Sequence, residues 1–262
     1  MKPHVVVDIG NTRIKWGQVA DDGRSIARTA SLPEDETAWD EEVSRWALPT
    51  STCWVLASVR PQRSERLAAW VEQRGAQVVR LSRAAQLPLK VALEKPDHAG
   101  IDRLLNGVAA LRHLSPGRPA LLIDAGSAVT VDWLDESHAF RGGAIYPGLD
   151  LMAQALHHYT ALLPQVEVTL PVPRLPGGNT IAAMQVGLFL AVSGGIREAV
   201  RQYGARALRA PRVFFTGGQA ALLAEGMGLL AEADARPEGW HDFLLWPEQT
   251  LVGILDSAGA QP

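Results

Sequence analysis

The chain has 262 residues, 47% of them apolar and 20% charged, with a net charge of −3. That is a globular composition, long enough for one large domain or two ordinary ones. It excludes an electrostatic case for nucleic acid and an internal disulfide, since Cys53 is the single cysteine, and no uninterrupted apolar run approaches the ~18 residues of a membrane helix.

Near the N-terminus, Val5, Val6 and Val7 read as a strand covered on both faces. Asp8 interrupts this apolar run, so no signal peptide is expected and a reducing cytoplasm fits best. Asp8 ends the strand, where a carboxylate can hold a metal or its water. Gly10 lets backbone pass close to a ligand, and Asn11 and Thr12 offer short donors where a phosphate would lie. Ile14 to Gly17 begin a second strand. Asp21, Asp22 and Gly23 form a turn into a third strand over Ser25 to Leu32. A helix is expected over Pro33 to Trp46, a buried strand over Thr52 to Val59, a helix over Pro61 to Arg74 that Gly75 stops, and a strand over Gln77 to Leu81. Residues 82–99 are irregular. The order βββ-α-β-α-β fits an α/β half with a mixed sheet.

Leu104, Leu105, Val108 and Leu111 mark the next helix, whose first turn is Gly100, Ile101, Asp102 and Arg103. An Asp there satisfies free helix N–H groups by itself. Read functionally, the same turn presents a carboxylate base beside a guanidinium, the pair needed to deprotonate a hydroxyl and clamp a carboxylate. Ser115 to Pro119 marks the boundary, giving an N-terminal half over 1–115 and a C-terminal half over 116–262.

The opening pattern then returns. Leu121, Leu122 and Ile123 lead to Asp124, Gly126, Ser127 and a second strand from Ala128. One Asp-x-Gly hairpin is common; two, each opening a half, imply two similar halves facing one cleft. A strand over His138 to Ile145 runs into the turn Gly142 to Gly148, which precedes a helix over Leu149 to Leu162. His157 and His158 point to different helix faces and read as surface or interface residues. A loop ends in Gly178, Asn179 and Thr180. A long helix from Ile181 to about Tyr203 follows, with a bend expected at Gly194 and Gly195. After a buried strand over Pro211 to Phe215, the turn Thr216, Gly217, Gly218 offers bare backbone to a nucleotide's base or ribose. Trp240 to Trp246 is ambiguous between strand and loop, and Glu248 to Leu255 reads as a closing helix.

Taken in order, these motifs resemble the type III pantothenate kinase family, which includes chains described as Bvg accessory factors, and the likeness runs from residue 5 to about 255. The paired hairpins resemble those of the wider actin, sugar-kinase and Hsp70 ATPase (ribonuclease H-like) superfamily. The resemblance implies an α/β fold of two similar halves around a central nucleotide cleft, and ATP-dependent phosphorylation of pantothenate. It implies that Asp8, Ile9, Gly10, Asn11, Thr12, Arg13, Ile14 and Lys15 wrap the ATP phosphates, with Ser127 also on ATP. It further implies that Gly100, Ile101, Asp102, Arg103 and Thr180 contact pantothenate, that Asp102 accepts the proton, and that Asp124 binds a monovalent cation (K+ or NH4+). A divalent cation, Mg2+, accompanies ATP, and the implied assembly is a homodimer, with no nucleic acid or membrane partner. Ser127 stands where the family often has Thr, and Ile101 where it often has a smaller residue. Val91, Ala92, Leu93 and Glu94 lack the Tyr that many members place upstream of Gly-x-Asp-Arg. The competing readings are a kinase of another hydroxylated small molecule and a non-catalytic regulatory protein on the same fold.

Overall fold

The run of β-branched and apolar residues after Lys2 forms β1 (Val5–Ile9), and the polar turn after it returns the chain as β2 (Ile14–Val19), antiparallel. The structure, a computed structural model, describes residues 2–49, 51–237 and 239–260. It divides into two compact units, residues 1–113 with 248–262, and residues 114–247.

In the first unit Asp22 makes the second turn, its carboxylate accepting from the backbone N–H of Arg24 at 2.7 Å and of Ser25 at 3.0 Å. β3 (Ile26–Leu32) follows. Asp35 caps α1 (Glu36–Trp46) by accepting from Ala38 N at 2.9 Å. β4 (Cys53–Ser58), α2 (Pro61–Glu72) and β5 (Gln77–Leu81) complete a sheet ordered β3-β2-β1-β4-β5, with β4 parallel to both β1 and β5. One face of this sheet carries Val5, Val7, Ile9, Ile14 and Trp16 into a core with α1 and α2. The core is rich in tryptophan, and the Trp16 and Trp54 rings meet edge to face at 4.8 Å. Cys53 is buried, and burial pushes its thiol up, as expected of a structural cysteine.

The opposite face is covered by α3 (Ile101–Ala110) and α7 (Gln249–Gly259), which pack along each other. A Cβ added at Gly253 would stand 2.0 Å from Leu105 O, so the two helices meet backbone to backbone. Arg112 pairs with Asp256, its Nε donating at 2.7 Å. The closing helix was expected in the second half; it belongs to the first unit, because its apolar side finds its partners on α3 and β1. It also continues past Leu255 to Gly259.

The second unit repeats the design. β6 (Ala120–Ala125), β7 (Ala128–Leu134) and β8 (Phe140–Pro147) are antiparallel; β9 (Arg212–Thr216) runs parallel to β6, and β10 (Phe243–Leu245) parallel to β9. The order β10-β9-β6-β7-β8, reversed, is the first sheet strand for strand. Leu121, Ile123, Val129, Val131, Val213 and Phe215 face a core made with α4 (Leu149–Tyr159), α5 (Thr180–Arg206) and α6 (Ala220–Gly226).

α5 continues through Gly194 and Gly195 as one helix. A Cβ added at Gly195 would lie 3.5 Å from the Tyr146 ring, an ordinary van der Waals contact. Among the described residues α5 is the one helix long and apolar enough to cross a membrane by length and composition; Leu188, Val192, Ile196 and Val200 are buried in the second core.

Candidate active site

Each Asp-x-Gly hairpin places its carboxylate on a defined face of its sheet. Side chains alternate along a strand. Val5, Val7 and Ile9 fill the first core, so Asp8 lies on the opposite face with Val6. That face is the one covered by α3 and α7: a Cβ at Gly17, the cross-strand partner of Val6, would meet Leu251 of α7 at 3.2 Å. Asp8 pairs directly with Lys15 across β1 and β2, a cation opposite the carboxylate. Between them Asn11, Thr12 and Arg13 are exposed, and Gly10 N donates to Arg13 O at 3.1 Å to close the turn. Ile9 and Ile14 are fully buried in the core, so only their backbone is available to a nucleotide.

One residue outside the hairpin holds this turn. Arg63 Nη1 donates to Gly10 O at 3.1 Å and to Asn11 O at 2.8 Å, while its Nε pairs with Glu34 at 2.7 Å. Ser58 Oγ donates to Ile9 O at 3.4 Å. The loop's carbonyls are thus tied back toward β4 and α2. No local pattern marks Arg63, which in sequence is one more charge in the first turn of a helix.

At the start of α3 the residue in the capping position is Gly100, not Asp102. Asp102 Oδ1 accepts from Arg103 N at 2.8 Å, an N–H of the first turn that also donates to Gly100 O at 3.1 Å. A Cβ on residue 100 would stand 2.5 Å from Asp102 Oδ1. Glycine is therefore what lets the carboxylate fold back over the turn. Asp102 and Arg103 are half-buried, whereas Ile101 is buried and points into the protein.

In the second unit three motifs converge on the loop after β6. Gly126 N donates to Ala128 O at 3.0 Å. Gly148, the last residue of the Gly142 to Gly148 turn, donates its N–H to Ser127 O at 2.9 Å, and a Cβ there would lie 2.3 Å from Gly126 O. From the other side Gln219 N donates to Ala125 O at 2.9 Å, and the Gln219 side chain accepts from Leu149 N at 3.2 Å. Gly217 sits against the Ala125 backbone at φ +101.

Asp124 is paired in register with Thr130 on β7 and Thr216 on β9. In-register neighbours share a face, so one carboxylate and two hydroxyls form a row on the side away from the second core. Among the described residues no group of three His, Cys, Asp or Glu could hold a metal ion. An oxygen row with one carboxylate suits a hard cation of low charge, which accepts hydroxyls and carbonyls as ligands, and does not suit zinc. The Thr130 register is foreseeable from the short hairpin; Thr216 comes from a parallel strand far along the chain.

Thr180 is exposed and opens α5, whose cap is Asn179, accepting from Ala182 N at 2.9 Å. It lines a cavity of about 590 Å³ with Asn179, Met152, Leu156, Met184 and Leu188. Asp124 and Ser127 do not line that cavity, although they lie in the same unit.

Residues 4–202 match the family model described as type III pantothenate kinase. A protein of that name from Moorella thermoacetica is 31% identical over 242 residues, covering 88% of this chain and 93% of its own length. Another, from Persephonella marina, is 29% identical over 239 residues, covering 84% and 89%. Among solved structures, a putative 2-dehydro-3-deoxygalactonokinase from Sinorhizobium meliloti superposes with a TM-score of 0.58 at 13% identity, covering 98% of each chain. At that identity the likeness concerns the fold alone, that of the sugar-kinase and actin-like ATPases.

Proposed function

The chain belongs to the type III pantothenate kinase family, and we infer from this membership that it phosphorylates pantothenate with ATP, giving 4′-phosphopantothenate for coenzyme A synthesis. The observation that carries the reading is the span of the family match, residues 4–202, which takes in both Asp-x-Gly hairpins, the start of α3 and the start of α5. The reading is tested by following ATP consumption with and without pantothenate. Pantothenate-dependent turnover is expected; turnover on another hydroxylated compound only, or none at all, would replace it.

Transfer of a phosphoryl group asks a protein chiefly for positioning and charge neutralisation. In the proposed division of labour, residues 8–15 and Ser127 hold the ATP phosphates. Ile9 and Ile14 contribute through their backbone. Gly100, Ile101, Arg103 and Thr180 hold pantothenate, with the Arg103 guanidinium suited to its carboxylate. Asp102 takes the proton of the attacking hydroxyl. The Asp8 carboxylate suits the Mg2+ that accompanies ATP, and Asp124 with Thr130 and Thr216 suits a monovalent cation; such ions would offset phosphate charge. The first hairpin and the proton acceptor lie in the first unit and the second hairpin in the second. A cytoplasmic location belongs to the same proposal.

If residues 8–15 hold the phosphates, Arg63→Ala should raise KM for ATP by about tenfold, the order expected when two charge-assisted hydrogen bonds that position a loop are lost. The melting temperature should fall little, because the side chain is partly exposed. An unchanged KM would show that the loop holds its shape without this brace.

We also propose a homodimer, formed through the α4 and α5 side of the second unit. Leu151, Ile181 and Leu190 are large apolar side chains left exposed on these two helices, with Leu190 at 46%. Light scattering at micromolar protein is expected to return twice the chain mass, and Leu190→Asp to lower it. A monomeric mass for the unmodified protein would contradict the assembly.

A further inference from the structure

Gln249, the first residue of α7, is fully buried, yet its Oε1 has no hydrogen-bond partner among the described residues. Its Nε2 donates to Asn106 O at 2.9 Å. A carbonyl only accepts, so the amide nitrogen must face it and the amide oxygen must turn away. The next residue, Thr250, donates from Oγ1 to Asn106 Oδ1 at 2.8 Å. Asn106 is itself 2% exposed and lies one helical turn after Asp102 on α3.

Packing alone does not account for this cluster. An unsatisfied buried acceptor is costly, and an apolar side chain of the same shape would avoid the cost. What the cluster adds is direction. Where α3 and α7 meet, Gly253 brings backbone against the Leu105 carbonyl, so the contact at that point is backbone to backbone. Two hydrogen bonds to a single residue of α3 add a directional restraint on rotation of α3 about its axis. Rotation of α3 would swing its first turn, and with it the Asp102 carboxylate that folds over Gly100.

We propose that Gln249 and Thr250 are positioning residues that act through Asn106 to fix the rotation of α3 and so the aim of Asp102. The proposal rests on Asp102 being the proton acceptor. Its test is a set of variants made alone and in an Asp102→Asn background, read by kcat, KM for both substrates and thermal melting. Gln249→Met keeps the side chain's length and removes both amide groups. Thr250→Val keeps the shape and removes the donor, and Thr250→Ser keeps the donor. Misaiming a reacting group can cost up to about 100-fold, so Gln249→Met and Thr250→Val should each lower kcat by about tenfold or more, with KM for ATP unchanged. Thr250→Ser should retain kcat. In the Asp102→Asn background neither substitution should lower kcat further, because residues that act as one chain are not additive. Wild-type kcat in folded Gln249→Met and Thr250→Val would overturn the proposal, as would an equal fall in both backgrounds. Should Thr250→Val fail to fold, Gln249→Met still decides, since the lost Nε2 bond to Asn106 O is offset by removal of an unsatisfied buried acceptor and the variant should stay folded. Wild-type kcat in Asp102→Asn itself would remove the proton-acceptor assignment instead, an outcome read from the single variant.

Discussion

Asp102→Asn is expected to lower kcat by about 10²- to 10⁴-fold while leaving the melting temperature nearly unchanged. A primary hydroxyl attacking a phosphoryl group must shed its proton, and a carboxylate within reach is the simplest acceptor. The geometry separates this role from capping. Gly100 holds the capping position, and Asp102 accepts a hydrogen bond from Arg103 N at 2.8 Å. An amide oxygen accepts that bond equally well, so asparagine should cost only about a few tenths of a kcal/mol of stability. What asparagine cannot do is take a proton at neutral pH. Wild-type kcat in a folded Asp102→Asn protein would leave the side chain a helix-end ligand and nothing more.

The two-half architecture is legible in the sequence because each half opens on β-branched residues, Asp-x-Gly and a short polar turn, and strand pairing in a tight hairpin is local. The same locality puts Asp124 opposite Thr130. Partners chosen at long range are not written locally. The apolar periodicity of residues 249–259 predicts a helix but does not say that its side packs on α3 and β1, which is why its place in the first unit is a finding of the structure. Thr216 joins Asp124 through parallel pairing of β6 with β9, across a long connection. Arg63 reaches Gly10 and Asn11 from a neighbouring helix start, where Arg is otherwise ordinary. Gly194 and Gly195 are weak helix formers, yet α5 is one continuous helix across them. Propensity is a weak prior against packing. Here Gly194 faces open space, and a Cβ at Gly195 would make only ordinary contact with the Tyr146 ring at 3.5 Å. Tyr146 Oη is buried without a hydrogen-bond partner among the described residues, and burial pushes its phenol well up.

Gly217→Ala is expected to be a strongly disruptive single-methyl change beside the second Asp-x-Gly hairpin. Gly217 has φ +101, a conformation that an L side chain rarely adopts, and an added Cβ would stand 2.5 to 2.6 Å from the N, C and O atoms of Ala125. Those are backbone atoms at the end of the central strand β6, paired on both sides, and they cannot yield as a side-chain tip would. Strain at φ and the forced contact together should cost on the order of 3 kcal/mol. For a unit of this size that is a fall in melting temperature of roughly 6 to 12 °C. Because Gln219 N donates to Ala125 O, any shift that relieves the clash also moves the loop from Asp124 to Ser127, so KM for ATP should rise as well. Gly218 supplies the control. A Cβ there meets nothing within 4 Å, so Gly218→Ala should melt close to the unmodified protein. Equal melting temperatures and equal KM values for the two variants would show that the turn after β9 is not seated on Ala125 as described, and would take the Thr216 to Gly218 motif out of the proposed nucleotide site.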